Sequence, residues 1–264
     1  MSQVKAAMHY VGRTPDRPRY YANDHSRDTV VIAAEEVTIL DGREHPPQLE
    51  THGFELLKHH TEISDFSDPF APGERYRNEI ASVLRERVGA DHIVVTGHGV
   101  LRYSERSDLA GTLNNSLPAR FAHIDISDHS AAQFAERAAP DRAYARVAAF
   151  NLWRVFTPPP QDVPLAICDA RTVTNDELIL SDAIFDEPSA PAWSFESLTV
   201  AANPHHQWYW FSDMRLDELI LFVTHDSDPT RPHCVPHCAF DHPSTQSHWL
   251  ARGSIEMRAT CYWY

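Results

Sequence analysis

The tripeptide His123-Ile124-Asp125 sets an imidazole and a carboxylate two residues apart inside the short apolar run from Phe121 to Ile126. Alternate side chains of a strand share a face, so His123 and Asp125 are expected to point the same way. Together they make two-thirds of the 2-His-1-carboxylate arrangement that holds non-haem Fe(II) and leaves positions open for reactants. The tripeptide alone is equally consistent with a surface pair or a buried ion pair. A third ligand must come from far along the chain. The candidate is His237, which opens His237-Cys238-Ala239-Phe240, a segment suited to entering a buried strand.

A second group of residues suits an anion. Arg252-Gly253-Ser254 begins the last long apolar stretch, and Arg252 and Ser254 would share a face. A guanidinium grips a carboxylate in a bidentate fork and a hydroxyl adds a further bond. Arg258, further along the same segment, is the competing choice; an arginine paired with a surface acid is the ordinary alternative for either. The cluster His233, Cys234, His237 and Cys238 brings zinc to mind, but structural zinc takes four ligands and no second Cys/His pair lies nearby, so Cys234 and Cys238 read as small apolar fillers. The aromatic run Trp208 to Phe211 reads as core, with one face free to line a pocket. With 17 histidines in the chain no single one is telling, and His205, His206, His225 and His242 read as loop or surface residues.

Positioning these groups falls to short elements. Residues 1–28 are polar and read as an extended segment that wraps the surface or covers an opening. Thr29–Ala34 and Val37–Leu40 read as two strands, the second ending at the Asp41-Gly42 turn, and Gly53–Leu57 as a strand after a helical turn. A proline-marked loop is expected over 65–73. Tyr76–Val88 carries Ile80, Val83 and Leu84 on one helical face, and Gly89 can end it in the left-handed region. Strands follow over 92–100, 121–126, 144–156, 165–169, 178–183, 194–200, 207–211, 219–224, 237–240 and 254–264. A helix over 127–137, with Ser130 as a possible N-cap, interrupts them. On 144–156, Ala149, Asn151 and Trp153 face one way and Phe150, Leu152 and Arg154 the other. Short strands separated by turns favour a mainly β sandwich, barrel or jelly roll over a parallel α/β sheet.

Composition narrows the classes. The 264 residues carry 23 Lys and Arg against 37 Asp and Glu, a net charge of -14, which argues against nucleic acid as the main partner. No segment approaches the roughly 20 apolar residues of a membrane span. The four cysteines and the absence of an apolar stretch in the first 16 residues give the expectation of a cytoplasmic protein. Neither G-x-G-x-x-G nor a P-loop is present, against dinucleotide and nucleotide-phosphate chemistry.

Seven blocks occur in order: P-A-R-F-A-H-I-D-I-S (118–127), N-L-W-R (151–154), P-L-A-I-C-D (164–169), H-Q-W-Y-W-F-S-D-M (206–214), D-E-L-I-L-F-V-T-H-D-S (217–227), H-C-A-F (237–240) and R-G-S-I-E-M-R (252–258). Together they resemble the AsaB, gibberellin-desaturase and CmcJ family over about residues 50 to 264. The resemblance implies Fe(II)- and 2-oxoglutarate-dependent oxygenases of secondary metabolism on a double-stranded β-helix (jelly roll) with flanking α-helices. It implies a single domain over 1–264, with 1–90 an N-terminal extension whose helix packs on the barrel and 91–264 the jelly-roll core. It also implies iron at His123, Asp125 and His237, 2-oxoglutarate near Arg252 and Ser254, and co-substrate or substrate contacts at Asn151 and Trp153. Three protein ligands leave three positions on iron, two for the keto-acid group of 2-oxoglutarate and one for O2. The chain departs from the family at Gln207, where Arg is usual, at Val223, where Lys is usual, and at Gly253, often Glu. The expected partner is a small molecule oxidised at an unactivated C–H bond, by hydroxylation, desaturation or cyclisation. The alternatives are a non-catalytic binding jelly roll and an O2-independent metal protein on a cupin-like barrel.

Overall fold

Val4, Ala6, Met8 and Tyr10 are buried while the residues between them face outward, the period-two burial of a half-buried strand. That strand opens the computed structural model of the protein, which describes residues 3–66, 73–187 and 191–264. In chain order the described elements are β1 (Gln3–Val11), β2 (Arg19–Tyr21), β3 (Ile32–Asp41), α1 (Leu49–His52), β4 (Phe54–Lys58), α2 (Gly73–Val88), β5 (His92–Tyr103), β6 (His123–Ile124), α3 (Asp128–Arg137), β7 (Arg146–Val155), β8 (Leu165–Cys168), β9 (Leu178–Phe185), β10 (Trp193–Val200), β11 (Trp208–Trp210), β12 (Glu218–Asp226), β13 (His237–Ala239) and β14 (Gly253–Trp263).

The strands form two sheets. The larger runs β1-β3-β11-β8-β13-β6-β10-β9-β2 and the smaller β4-β12-β7-β14-β5. All pairings are antiparallel except β11 with β3 and β2 with β9. The sheets face one another as a jelly roll, the fold class expected from the strand pattern. The helix α2 buries Tyr76, Ile80 and Leu84 against a core that includes Leu152, Ile255 and Met257. Strand β7 is therefore covered on both faces, which is why Phe150, Leu152 and Arg154 are as buried as Asn151 and Trp153.

Several local expectations are corrected. The first 28 residues contribute β1 and β2, and β1 pairs along its whole length with β3. Thr29–Ala34 and Val37–Leu40 are not two strands: β3 runs unbroken from Ile32 to Asp41, because Ala34, Glu35 and Glu36 keep their pairing with β1 while staying outside the core. The N-cap of α3 is Ser127, whose hydroxyl accepts from the Ser130 amide, and Ser130 is buried in the first turn. Only His123 and Ile124 of the expected 121–126 strand are paired as strand. Most of the loop expected over 65–73, with Pro69 and Pro72, lies outside the described residues.

Strand β6 is held between β10 and β13, and β13 sets His237 directly opposite His123. On the facing sheet Phe222, Asn151 and Arg258 form one row across β12, β7 and β14. The row and the histidine pair meet in the space between the sheets.

At the α1–β4 junction Gly53 holds φ at 87°, and a Cβ there would lie 2.5 Å from Val235. Gly53→Ala should combine left-handed strain of about 1–2 kcal/mol with overpacking of about 1–3 kcal/mol. Urea unfolding should show a lower midpoint at unchanged slope; an unchanged midpoint would refute the packing at this junction.

Candidate metal centre and its cavities

Cross-strand pairing brings the two imidazoles together, with ring centroids 4.3 Å apart. Asp125, just past the end of β6, completes the group: its Oδ1 is 3.6 Å from His123 Nε2 and 3.9 Å from His237 Nε2. The three donor atoms all lie within 4.8 Å of one another. Each histidine turns its other nitrogen to a carbonyl: His123 Nδ1 is 2.9 Å from Phe121 O and His237 Nδ1 is 3.4 Å from Val235 O. A proton on each Nδ1 donates to that carbonyl and leaves the Nε2 lone pair directed at the common point, the tautomer a metal ligand requires.

The carboxylate is steadied from the facing sheet. Asn151 Nδ2 donates to Asp125 Oδ2 at 2.6 Å, and Arg258 stands 3.3 Å from the same oxygen. Burial works against the Asp125 charge, but Arg258 and the two histidines outweigh it and hold the carboxyl well below its usual range. Burial, reinforced by the neighbouring His123, pushes His237 down to about 3, so its imidazole is neutral at ordinary pH. Phe222 closes the other side of His237, ring centroids 4.9 Å apart. Two imidazole nitrogens and a carboxylate oxygen converging on one point are a donor set that fits a divalent iron.

The two anion-binding candidates separate clearly. Arg258 is committed, to Asp125 and at 2.9 Å to Glu256. Arg252 is fully buried and its Nε has no partner, and the buried Ser254 hydroxyl also lacks one. The Arg252 guanidinium lies 5.4 Å from the Trp153 ring centre. Burial, with Arg120 and Arg102 nearby, pulls its pKa down to about 9. A buried cation and hydroxyl with unused donors fit the distal carboxylate of a small dicarboxylic acid. Gly253 points to the opposite face, where a Cβ would meet Phe156 at 2.2 Å, so that departure leaves the Arg252–Ser254 face untouched.

Beside the triad opens a cavity of about 470 Å³, lined among others by Asp125, Phe134, Asn151, Phe195, Thr224 and Arg258. Its walls are mostly apolar and aromatic, and among its polar groups Asp125, Asn151 and Arg258 lie together, as small-molecule sites commonly show. A smaller space of about 40 Å³ on the His123 side adds Tyr20, Arg102 and Thr199. Nothing in the sequence singles out Tyr20 within the first 28 residues; its hydroxyl is buried and unpartnered. The Gln207 and Val223 departures line neither space: Gln207 is exposed, and Val223 packs into the core near Gly53.

Other expectations are redrawn. His233, Cys234, His237 and Cys238 are not brought together; Cys234 and Cys238 are free thiols buried in separate apolar clusters. His206 is no surface residue: it is buried between Tyr10 and Glu177, with Nδ1 3.0 Å from the Tyr10 hydroxyl and Nε2 2.9 Å from Glu177. His225 is half-buried and lines the larger cavity. His242 is half-buried, 5.4 Å from the Trp249 ring centre.

Comparison with known proteins gives a consistent picture. Residues 8–262 match the profile of the oxidoreductase/YMDC permease-like domain (YDMC). The chain is 31% identical over 244 residues to the hydroxylase/desaturase CTB9 of Cercospora beticola, covering 84% of this chain and 74% of that protein. It is 27% identical over 272 residues to the alpha-ketoglutarate-dependent dioxygenase phiK of a fungal species, covering 97% and 95%. Its fold superposes on the iron and alpha-ketoglutarate-dependent endoperoxidase NvfI with a TM-score of 0.84 at 22% identity, over 99% of this chain and 98% of the other.

Asn151→Ala should weaken metal binding about 10–100-fold, the usual cost of losing a hydrogen bond that orients a ligand. Titration with Fe(II) or Co(II), with circular dichroism to check folding, reads the effect. Unchanged affinity would show that Asp125 needs no such support.

Proposed function

The chain belongs to the oxidoreductase/YMDC permease-like family and to the AsaB and gibberellin-desaturase group of Fe(II)- and 2-oxoglutarate-dependent oxygenases, and from that premise we propose the roles of its residues and the scope of its reaction. It is an oxidoreductase that uses Fe(II), 2-oxoglutarate and O2 to oxidise an unactivated C–H bond of a small secondary-metabolite substrate. His123, Asp125 and His237 hold the iron; Arg252 and Ser254 hold 2-oxoglutarate; Asn151 and Arg258 position Asp125. The convergence of His123 Nε2, His237 Nε2 and Asp125 Oδ1, each imidazole fixed by a carbonyl on its far nitrogen, is the observation that carries this reading.

The bound iron and co-substrate supply the oxidising power that breaks the C–H bond. The chain's own contribution is placement and exclusion of water. Phe134, Phe195 and neighbouring apolar walls seat the substrate against the Asp125 end of the cavity. Arg252, desolvated and short of partners, selects a dianionic co-substrate; its guanidinium and the Ser254 hydroxyl supply donors that water cannot reach. Hydroxylation, desaturation and ring closure differ in what becomes of the substrate after hydrogen loss, and the cavity walls decide that by what they allow near the reacting carbon.

The 264 residues act as one oxygenase unit, since strands from the first 58 residues complete both sheets. Among the described residues no helix is long and apolar enough to cross a membrane. All four cysteines are buried and free, which supports work in the reducing cytoplasm.

Conversion of 2-oxoglutarate to succinate with Fe(II) in air tests the reading. His123→Ala or His237→Ala should abolish turnover together with iron binding at this site. Activity that persists without O2 would favour the O2-independent alternative. Arg252→Met should raise the 2-oxoglutarate KM by an order of magnitude or more with iron binding retained, since a charge-assisted bond is worth about 1.5–3 kcal/mol. If Arg258→Met does this instead while Arg252→Met does not, the clamp is on Arg258.

A further inference from the structure

A second group of metal-ligating side chains lies outside the triad. Asp128 opens α3, His225 lies near the end of β12, and His233 lies in the segment between β12 and β13. Asp128 Oδ1 is 2.7 Å from His233 Nε2 and 3.3 Å from His225 Nδ1, and the two imidazole centres are 5.0 Å apart. One donor atom from each residue falls within 4.8 Å of the others, as in the triad. We propose that Asp128, His225 and His233 form a second divalent-metal site, of zinc type, that pins α3 to the end of β12 and the segment after it at the wall of the substrate cavity.

Three observations carry this. First, His233 Nδ1 is 2.9 Å from the Asp226 carbonyl oxygen. That contact turns Nε2 toward Asp128, where a bound cation would take the place of the hydrogen bond the two side chains make. Secondly, the spacing fits. Zinc bound at about 2.0–2.1 Å by tetrahedral donors holds them about 3.3 Å apart. The His225–Asp128 separation is already that, and the shorter His233–Asp128 contact needs only the exposed Asp128 side chain to swing outward. Thirdly, the site joins two elements that wall the cavity: Ala131 and Phe134 of α3 line it together with His225. Two imidazoles and one carboxylate suit a borderline cation such as zinc rather than magnesium or calcium, which prefer oxygen. A fourth position remains for water, giving the site a net positive charge beside an otherwise apolar wall.

The site is independent of the triad, and its test keeps the two apart. Untagged protein carrying His123→Ala and His237→Ala, checked for folding by circular dichroism, is titrated with zinc against a chromophoric chelator. One equivalent should remain bound in the micromolar range or tighter. Adding His233→Ala, whose exposed ring threatens no core, should lower the affinity at least ten-fold, and Asp128→Asn should do the same; His248→Ala should change nothing. In wild-type crystals soaked in zinc, anomalous density between residues 128, 225 and 233 should accompany that at the triad. Absence of zinc binding by the triad-deficient protein, or binding insensitive to both His233→Ala and Asp128→Asn, overturns the proposal. A wild-type stoichiometry of one, lost with His233→Ala, would instead uphold this site and overturn the triad's role.

Discussion

The pairing of β13 with β6 is the constraint on which the site depends. It is a short contact, with His237 opposite His123, yet it draws together segments more than a hundred residues apart in sequence. Strand pairing fixes the distance between opposed side chains to within a fraction of an ångström, which loops cannot do, and a metal needs ligands placed to that tolerance. Nothing in the pairing itself favours two imidazoles side by side. The carbonyls of Phe121 and Val235 lie in the same segments, two residues before each histidine, so the local chain that delivers each ring also fixes its tautomer. Position and protonation are thus set by the same few residues.

The opposite sheet completes this arrangement by supplying charge. A buried carboxylate without compensation would take up a proton and lose its value as a ligand. Asn151 and Arg258 prevent that from one row of β7 and β14, and Glu256 in turn balances Arg258. Arg252 is treated differently. It is buried with its Nε unpartnered, near two further arginines, in a chain whose net charge is -14. Such a cation is tolerable when a bound anion makes up the missing partner. The contrast lies in their partners, since two acids face Arg258 while the Nε of Arg252 has none, and net charge gave no hint of it.

How much of this was legible in the sequence differs by element. The spacing of His123 and Asp125 was readable because it depends only on strand periodicity. The entry of His237 could be proposed from its apolar followers, but its register against His123 could not, since register is decided by the turns and cores of the whole sheet. Strand β1 was missed although Val4, Ala6, Met8 and Tyr10 alternate, because small and polar neighbours masked the pattern. Tyr20 went with it. His206 lies in a loop as expected yet is buried, and His225 lies on β12, because a histidine's burial depends on distant partners, Tyr10 and Glu177 for one and Asp128 for the other. In sequence only the neighbouring Ser254 favours Arg252 over its competitor Arg258; the acids that face Arg258 are visible only in the structure.

The Gly253 departure shows how a substitution can look functional and be structural. It lies between Arg252 and Ser254, so in sequence it invites a reading in terms of the proposed clamp. On β14, however, neighbours point to opposite faces, and position 253 looks at Phe156, not at the interior shared by Arg252 and Ser254. A glutamate there would need that ring to move, while the guanidinium and hydroxyl on the other face could stay where they are. The loss of a lysine at Val223 follows the same logic, since β12 turns that position into the core. Neither position lines the larger cavity or the smaller space beside His123, so neither change alters the charge there.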